Sequence, residues 1–207
     1  MSESASTTDN SLPDSSQSAD ECQTEIRFYR ANERPYGALS NLYRCTFTFE
    51  DQEYPTAEHA YQAGKARKPE VRDWILSAPT PALVAMAAHG LYTWDIVPNW
   101  SKMKFDRMRR VLRAKFTQNE NLRFILLSTG TARIIEAATV DNLVNRTWGE
   151  VNGKGRNMLG SLLMELRDEL RLEMVSSIFP IEERHEDNTN STNGKNAIHS
   201  LVSELIV

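Results

Sequence analysis

The sequence lacks the features of disulfide-stabilised, secreted and membrane-spanning proteins. Its 207 residues contain only two cysteines, Cys22 and Cys45, which is too few for a disulfide framework. No run of about 18 apolar residues is present, so no membrane span or membrane partner is expected. The first residues show no basic patch followed by an apolar stretch, so no signal peptide is predicted and a cytoplasmic location is expected.

Familiar metal and nucleotide motifs are also missing. His59 has no second histidine four residues later, so the spacing of a zinc-binding helix is absent. The glycine-rich segment 149–155 fits neither the P-loop nor the dinucleotide-binding fingerprint. Any function must therefore be argued from other residues.

Charge is distributed unevenly along the chain. The first 25 residues contain six acidic and no basic side chains, and residues 181–207 contain five acidic and two basic ones. Residues 26–180 contain 22 basic and 17 acidic side chains. This mildly basic centre suits a phosphate-bearing ligand better than the net charge of −4 suggests.

Composition divides the chain into three parts. Residues 1–24 are rich in Ser, Thr, Asp and Gln and are predicted to be a disordered leader. Residues 25–179 form the predicted domain. Residues 180–207 are predicted to be a flexible tail, in which the apolar spacing near the end indicates a short amphipathic helix.

Hydrophobic periodicity predicts a helix-rich α+β fold with a few short strands. Strands are predicted at 26–28, 44–50, 53–54 and 133–136. Helices, placed by capping residues and apolar spacing, are predicted over 56–67, 69–76, 80–89, 101–115, 119–127 and 157–179.

The first candidate site segment is the helix that follows Thr56. Glu58, Gln62 and Lys65 fall on one stripe of this helix, whose other positions are mostly small residues. Small residues let a neighbouring backbone approach, so a buried helix would need partners for its polar stripe. An ordinary exposed Glu–Lys face explains this segment equally well, and His59 is expected to be a structural hydrogen-bonding residue.

Two further segments carry candidate ligand-binding residues. Trp100 stands at the entrance of a basic helix, where its indole could stack on a flat base or could simply pack in the core. The segment from Glu136 to Gly160 places Asp141 and Trp148 before a loop containing glycines and basic residues, which then opens a helix. Backbone N–H groups and a helix N-terminus favour an anion, so a phosphate cradle is plausible there.

Together these segments resemble the NADAR superfamily of YbiA-like N-glycosidases over roughly residues 26–172. The matching motifs are Ser40-Asn41-Leu42-Tyr43, Glu58-His59-Ala60-Tyr61-Gln62 with Lys65, Lys115-Phe116 with Gln118, Trp148-Gly149, and Gly155-Arg156-Asn157-Met158-Leu159-Gly160 with Leu163-Met164 and Arg167. The resemblance implies cleavage of a C1′–N bond, either in a phosphoribosylamino-pyrimidine of riboflavin biosynthesis, releasing ribose 5-phosphate, or between ADP-ribose and guanine in nucleic acid.

The resemblance also implies a set of site residues. The catalytic residues would be Glu58, Trp100, Asp141 and Trp148. The substrate-binding residues would be Asn41, Tyr54, Gln62, Lys65, Gly153, Lys154, Gly155 and Asn157. The family's acid lies five residues after a preceding Glu, which selects Asp141, and about three before Trp-Gly, which selects Asn145.

These assignments lead to a hypothesis about mechanism. Glu58 would stabilise the positive charge that builds on the sugar or activate water, and Asp141 would position the sugar or the water. Trp100 and Trp148 would sandwich the base, while Lys65, Lys154 and the glycine loop would hold phosphate. No step needs a metal or a redox cofactor, and none is expected. Two other functions are considered. A non-catalytic module that binds ADP-ribose would need the same Trp, Lys and Gly residues but not Glu58. A helical protein that serves only protein–protein interaction would not explain the polar stripe on the helix after Thr56.

Overall fold

The computed structural model describes residues 24–178. Almost all of the predicted leader, and the predicted tail with its short helix, lie outside these residues. The described residues divide after Arg171 into two units, 24–171 and 172–178. The candidate site lies in the first unit, and the described residues of the second, 172–178, are helical.

The described residues form short strands and mostly longer helices. The elements are β1 (Glu25–Phe28), β2 (Phe47–Phe49), β3 (Gln52–Tyr54), α1 (Ala57–Ala63), α2 (Pro69–Leu76), α3 (Pro81–His89), α4 (Trp100–Gln118), α5 (Glu120–Ser128), β4 (Arg133–Glu136), α6 (Leu143–Trp148) and α7 (Met158–Ile178). The predicted helix-rich α+β class is confirmed. None of the helices within residues 24–178 combines the length and apolarity needed to cross a bilayer.

The strands form two separate pairs. β1 and β4 are parallel, with Phe28 opposite Glu136 at their C-terminal ends, while β2 and β3 form an antiparallel hairpin. A parallel pair requires a long crossover, and here α1 to α5 lie between its two strands in the chain. This connection places Glu136 at the same edge as the residues that follow β1.

Two buried apolar clusters support the site. The larger one packs β1 and β4 between α4, α5 and α7 and includes Phe28, Ile134, Leu112, Phe116 and Leu163. The smaller one packs one face of α1 against the β2–β3 hairpin and α4, and includes Phe47, Phe49, Tyr54, Ala57, Ala60, Ala63 and Val111. All seven residues of α1 are buried, so its polar side chains are also withdrawn from solvent.

The start of α1 is fixed by the predicted cap and by a neighbouring loop. Thr56 Oγ1 accepts a hydrogen bond from the His59 backbone N–H at 3.3 Å and lies 2.7 Å from His59 Nδ1, so His59 acts structurally here. The Glu58 N–H donates to the Asn41 carbonyl at 3.1 Å. The backbone of Glu58 at the start of α1 is therefore held against the loop containing Asn41.

Lys115 anchors that loop from the core. Its fully buried ammonium group donates to the carbonyl oxygens of Ala38 at 2.7 Å and Ser40 at 2.9 Å. Burial lowers the pKa of Lys115 to about 8. The Lys-Phe motif of α4 thus holds the backbone immediately before Asn41.

One helix start was predicted wrongly and one helix was not predicted. α4 begins at Trp100 rather than after a Ser101 cap, because Asn99 adopts a left-handed conformation with φ of 60° and turns the chain there. No element was assigned between Asp141 and Trp148, where the structure has α6, whose cap Asn142 accepts a hydrogen bond from the Asn145 N–H at 2.8 Å. A helix of six residues is too short to show an apolar period.

Candidate active site

Glu58 is a carboxylic acid buried on α1. The residue is only 8% exposed, and one carboxylate oxygen accepts a hydrogen bond from Gln62 Nε2 at 2.7 Å. Burial raises the pKa of Glu58 to about 7, although the Gln62 hydrogen bond and the charge of Lys65 act in the opposite direction. At neutral pH this group can therefore exist in either protonation state.

Glu136 is a second carboxyl group with the same property. It ends β4, where its backbone N–H donates to Asn157 Oδ1 at 3.1 Å. Burial, followed by the negative charge of Glu58, raises the pKa of Glu136 to about 7. Within residues 24–178 its side chain has no hydrogen-bond donor, in contrast to Glu58.

The negative charge of Glu58 acts on Glu136. Since the charge of Glu58 disfavours ionisation of Glu136, the pair favours one ionised and one protonated member near neutral pH. The sequence analysis did not assign Glu136 a role. The available signal was an acid placed directly after the apolar residues Ile134 and Ile135, at the C-terminal end of a buried strand.

An aromatic cluster lies beside Glu58. The buried ring of Tyr61 contacts Trp100, with centroids 5.2 Å apart, and Trp148, with centroids 5.5 Å apart. Burial and the charge of Glu58 both raise the pKa of Tyr61, which places its ring near that carboxylate. Phe105 extends the cluster, with its centroid 5.3 Å from that of Trp148. Both indoles are half-buried, so they retain a face for a flat ligand.

Two buried amide oxygens next to Glu58 have no partner in the described part of the chain. They are Asn41 Oδ1 and Gln62 Oε1. The Asn41 backbone accepts from Glu58, and the Gln62 side chain donates to it, so both oxygens belong to the surroundings of this carboxyl group. Buried polar atoms are rarely left unsatisfied, and these acceptors fit a ligand that brings hydroxyl or amino donors.

Lys65 lies near Glu58, but its ammonium group already makes a hydrogen bond within the protein. Its ammonium group donates to the Ala88 carbonyl at 2.5 Å and so ties the end of α1 to α3. Burial lowers the pKa of Lys65, whereas the charge of Glu58 raises it. The structure therefore places Lys65 as a cation that supports Glu58. Tyr54 lies apart from this group, packed in the smaller apolar cluster with its hydroxyl donating to Gln52 Oε1 at 3.1 Å.

The structure does not bring Asp141 into the cluster. Asp141 is exposed and forms a bidentate ion pair with Arg146, at 2.5 and 2.7 Å. Asn145, the alternative for the same position, donates its side-chain amide to the Val140 carbonyl at 2.7 Å. Both residues thus make local contacts at the start of α6.

The glycine loop serves mainly to position β4. Asn157 is buried, and its Nδ2 donates to the Ile134 carbonyl at 2.8 Å while its Oδ1 accepts from Glu136. Gly155 adopts φ of 156° where its α-carbon packs closely on the Gly149 carbonyl. Gly153 and Lys154 lie at the exposed tip of the loop. Asn157 is thus the predicted binding residue of this segment that contacts the backbone of Glu136.

The donor set offers no metal centre. Among residues 24–178, no group of three or more His, Cys, Asp or Glu side chains could hold a metal ion. What the site provides is a pair of carboxyl groups at the C-terminal end of β4 and on α1, amide acceptors and stacking surfaces. This combination suits acid–base hydrolysis of a bond between a sugar and a flat base.

Comparison with known proteins agrees with this chemistry. A family model described as the NADAR domain matches residues 27–171. The N-glycosidase YbiA of Escherichia coli (strain K12) is 36% identical over 151 residues, which cover 72% of this chain and 91% of that protein. A riboflavin biosynthesis protein of Vibrio vulnificus is 33% identical over 147 residues, covering 70% of this chain and 38% of that protein. The NMR structure of E. coli YbiA matches with a TM-score of 0.65 and 33% sequence identity, covering 81% of this chain and 93% of that structure.

The fold and the site thus define a hydrolase of the N-glycosidase class with a YbiA-like fold. The chain belongs to the NADAR family, whose model spans most of the described residues.

Proposed function

We propose that this N-glycosidase hydrolyses the C1′–N bond of a phosphoribosylamino-pyrimidine intermediate of riboflavin biosynthesis, releasing the pyrimidine and ribose 5-phosphate. The observation that carries the proposal is the Glu58–Glu136 pair, two carboxyl groups with pKa values raised to about 7 beside half-buried indoles. The Vibrio vulnificus relative is named as a riboflavin biosynthesis protein, which supports the choice of pathway.

The surroundings of the two carboxyl groups favour different roles. Glu58 accepts a hydrogen bond from Gln62 and lies near the positive charge of Lys65, and both favour its ionised form. Glu136 has neither, and the charge of Glu58 disfavours its ionisation. Glu58 is therefore the carboxylate and Glu136 the acid of the resting pair.

Hydrolysis follows from this division. Protonated Glu136 donates its proton to the leaving nitrogen as the C1′–N bond breaks, and ionised Glu58 stabilises the positive charge on the sugar. Water then attacks C1′ and forms the new C–O bond, and Glu58 takes its proton. Transfer of that proton to Glu136 restores the starting state. In this proposal Glu136 replaces Asp141 as the second acidic group.

The remaining residues bind and orient the substrate. The indoles of Trp100 and Trp148 flank the base, and the unpartnered oxygens of Asn41 and Gln62 accept hydrogen bonds from ribose hydroxyl or base amino groups. Asn157 keeps β4, and hence Glu136, in place through two hydrogen bonds between its side-chain amide and the backbone of that strand.

ADP-ribose linked to guanine is the alternative substrate. A nucleic-acid surface would need unpaired basic residues, yet the arginines of α4 are largely neutralised. Arg109 pairs with Glu165, Arg110 with Glu50 and Asp106, and Arg113 with Glu169. This pairing argues for the small phosphorylated substrate.

The test is to supply both substrates to the purified protein and measure released base by chromatography. We expect release from the phosphoribosylamino-pyrimidine, and a loss of about 10²–10⁴-fold in rate for Glu58→Gln. Glu120→Gln, which alters an exposed carboxylate on α5, is the control and should keep full activity. Wild-type turnover by Glu58→Gln, or binding without release of base from either substrate, would refute the proposed role.

A further inference from the structure

We infer that Lys104 and Arg156 form a phosphate-binding subsite at the edge of the aromatic cluster. The inference rests on the proposed function and specifies where the charged end of its substrate lies. The ligand class is a ribose that carries a phosphate or diphosphate ester.

The two cations converge on one pair of rings from different elements. Lys104, one turn after Trp100 on α4, has its ammonium nitrogen 4.9 Å from the centroid of Phe105 and 5.9 Å from that of Trp148. Arg156, in the loop before α7, has its Cζ 5.5 Å from the Phe105 centroid. Trp148 in turn contacts Tyr61, which lies near Glu58. Through Trp148 and Tyr61, Lys104 is thus two aromatic rings removed from Glu58, and Arg156, which lies over Phe105, is three rings removed.

Neither charge is balanced by the protein. Within residues 24–178 the side chains of Lys104 and Arg156 make no ion pair and no hydrogen bond, whereas Arg107, Arg109 and Arg110 on the same helix all pair with glutamates. Partial burial of Lys104, followed by the charge of Arg156, lowers the pKa of Lys104. Two like charges held together without a counter-ion favour an anionic ligand between them.

The other predicted phosphate ligands are less suited to this role. The Lys65 ammonium is committed to the Ala88 carbonyl, and the charge of Lys154 acts on Asp141, whereas Arg156, which is also exposed, lies over the Phe105 ring. Lys104 is half-buried against aromatic rings, so its charge is screened less by solvent. The basic residues that bind phosphate are therefore Lys104 and Arg156.

The experiment measures binding without turnover. Calorimetric titrations of ribose 5-phosphate, unphosphorylated ribose and ADP-ribose are compared for wild type, Lys104→Gln, Arg156→Gln and Arg156→Lys. We expect wild type to prefer ribose 5-phosphate to ribose, and each Gln variant to weaken ribose 5-phosphate binding by about tenfold or more, as removal of one of two charge-assisted contacts requires. Arg156→Lys, which keeps the charge, should retain more affinity than Arg156→Gln. Parallel weakening of ADP-ribose would show that a diphosphate uses the same subsite.

Matched controls separate this subsite from general charge effects. Lys102→Gln removes one exposed charge from the same helix and is the control, and Lys154→Gln tests the competing prediction that Lys154 holds phosphate. Both should bind ribose 5-phosphate as wild type does, and thermal unfolding checks that every variant is folded. Equal affinity of wild type for ribose and ribose 5-phosphate, or equal losses in the control variants, would overturn the subsite.

The outcomes also separate the subsite from the enzymatic proposal. Hydrolysis with unchanged phosphate affinity in Lys104→Gln and Arg156→Gln would refute the subsite and leave the proposed function intact. Phosphate binding that depends on both residues, without cleavage of either substrate, would support the subsite and refute the proposed function.

Discussion

The raised pKa of Glu58 affects stability as well as the catalytic role proposed for it. A carboxyl group whose pKa is raised in the folded state binds its proton more tightly there than in the unfolded chain. Its contribution to stability is therefore complete below pH about 4 and is lost as pH rises through about 7. In the proposed mechanism this unfavourable charge at neutral pH is the one that the chemistry uses.

Replacing this carboxyl group should stabilise the fold at neutral pH. We expect Glu58→Gln, whose amide cannot ionise, to raise the free energy of unfolding at pH 8 by on the order of 2 kcal/mol and to change it little at pH 4.5. Urea unfolding of both proteins across this pH range measures the difference. Glu120→Gln is the control, and a stability gain that does not vary with pH would contradict the assigned pKa.

Glu136 and Asp141 can be compared directly. Glu136 is coupled to Glu58, whereas Asp141 is exposed and paired with Arg146. We expect Glu136→Gln to lower kcat by about 10²-fold or more, as loss of a general acid does, and Asp141→Asn to change it by less than about threefold, as loss of an exposed ion pair does. Steady-state kinetics on the pyrimidine substrate distinguish them, and the reverse order would restore Asp141 as the second acid.

At the scale of elements, most of the secondary structure could be predicted from the sequence. Helices such as α1 and α3 are marked by Thr caps, and Pro69 marks the start of α2. α6 was missed because six residues carry too little periodicity, and the beginning of α4 was misplaced because its turn depends on the left-handed Asn99. Local signals thus place long elements well and short ones poorly.

The contact of α7 with β4 depends on Gly160. A Cβ at this position would collide with the Ile134 carbonyl and approach the Asn157 side chain, and both belong to the support of Glu136. We expect Gly160→Ala to destabilise the protein by about 1–3 kcal/mol, as overpacking does, and to lower kcat as β4 shifts. Chemical unfolding and kinetics measure the two effects. Gly90→Ala, where the nearest atom would be 3.5 Å away, is the matched control and should change both very little.

At the scale of the whole molecule, the candidate site was predictable only in part. Glu58, Gln62 and Trp100 could be selected because each stands in a recognisable local segment. Glu136 could not, since its role depends on the parallel pairing of β1 with β4 and on a charge almost 80 positions away in the chain. Asp141 fits the spacing from the preceding Glu, yet its side chain is exposed and pairs with Arg146. Long-range packing determines which acidic side chains lie near one another in the fold, and the spacing of residues along the chain does not predict this.

The coupled pair should govern the pH dependence of the enzyme as a whole. The proposed mechanism requires Glu58 ionised and Glu136 protonated, so kcat/KM should fall on the acidic side as the pair gains a second proton and on the alkaline side as it loses its last one. Because the pKa of each group is raised to about 7, we expect a narrow bell with its maximum near neutral pH.

The variants show which carboxyl group causes the acidic limb and which causes the alkaline limb of the pH profile. Glu136→Gln retains no proton to lose, so its residual activity should keep the acidic limb and lack the alkaline one. The profile is measured from pH 5 to 9 in buffers of constant ionic strength, with Asp141→Asn as the control that preserves both limbs. A wild-type profile that stays flat across this range would show that the two carboxyl groups, one on α1 and one at the end of β4, do not share the proton that the mechanism requires.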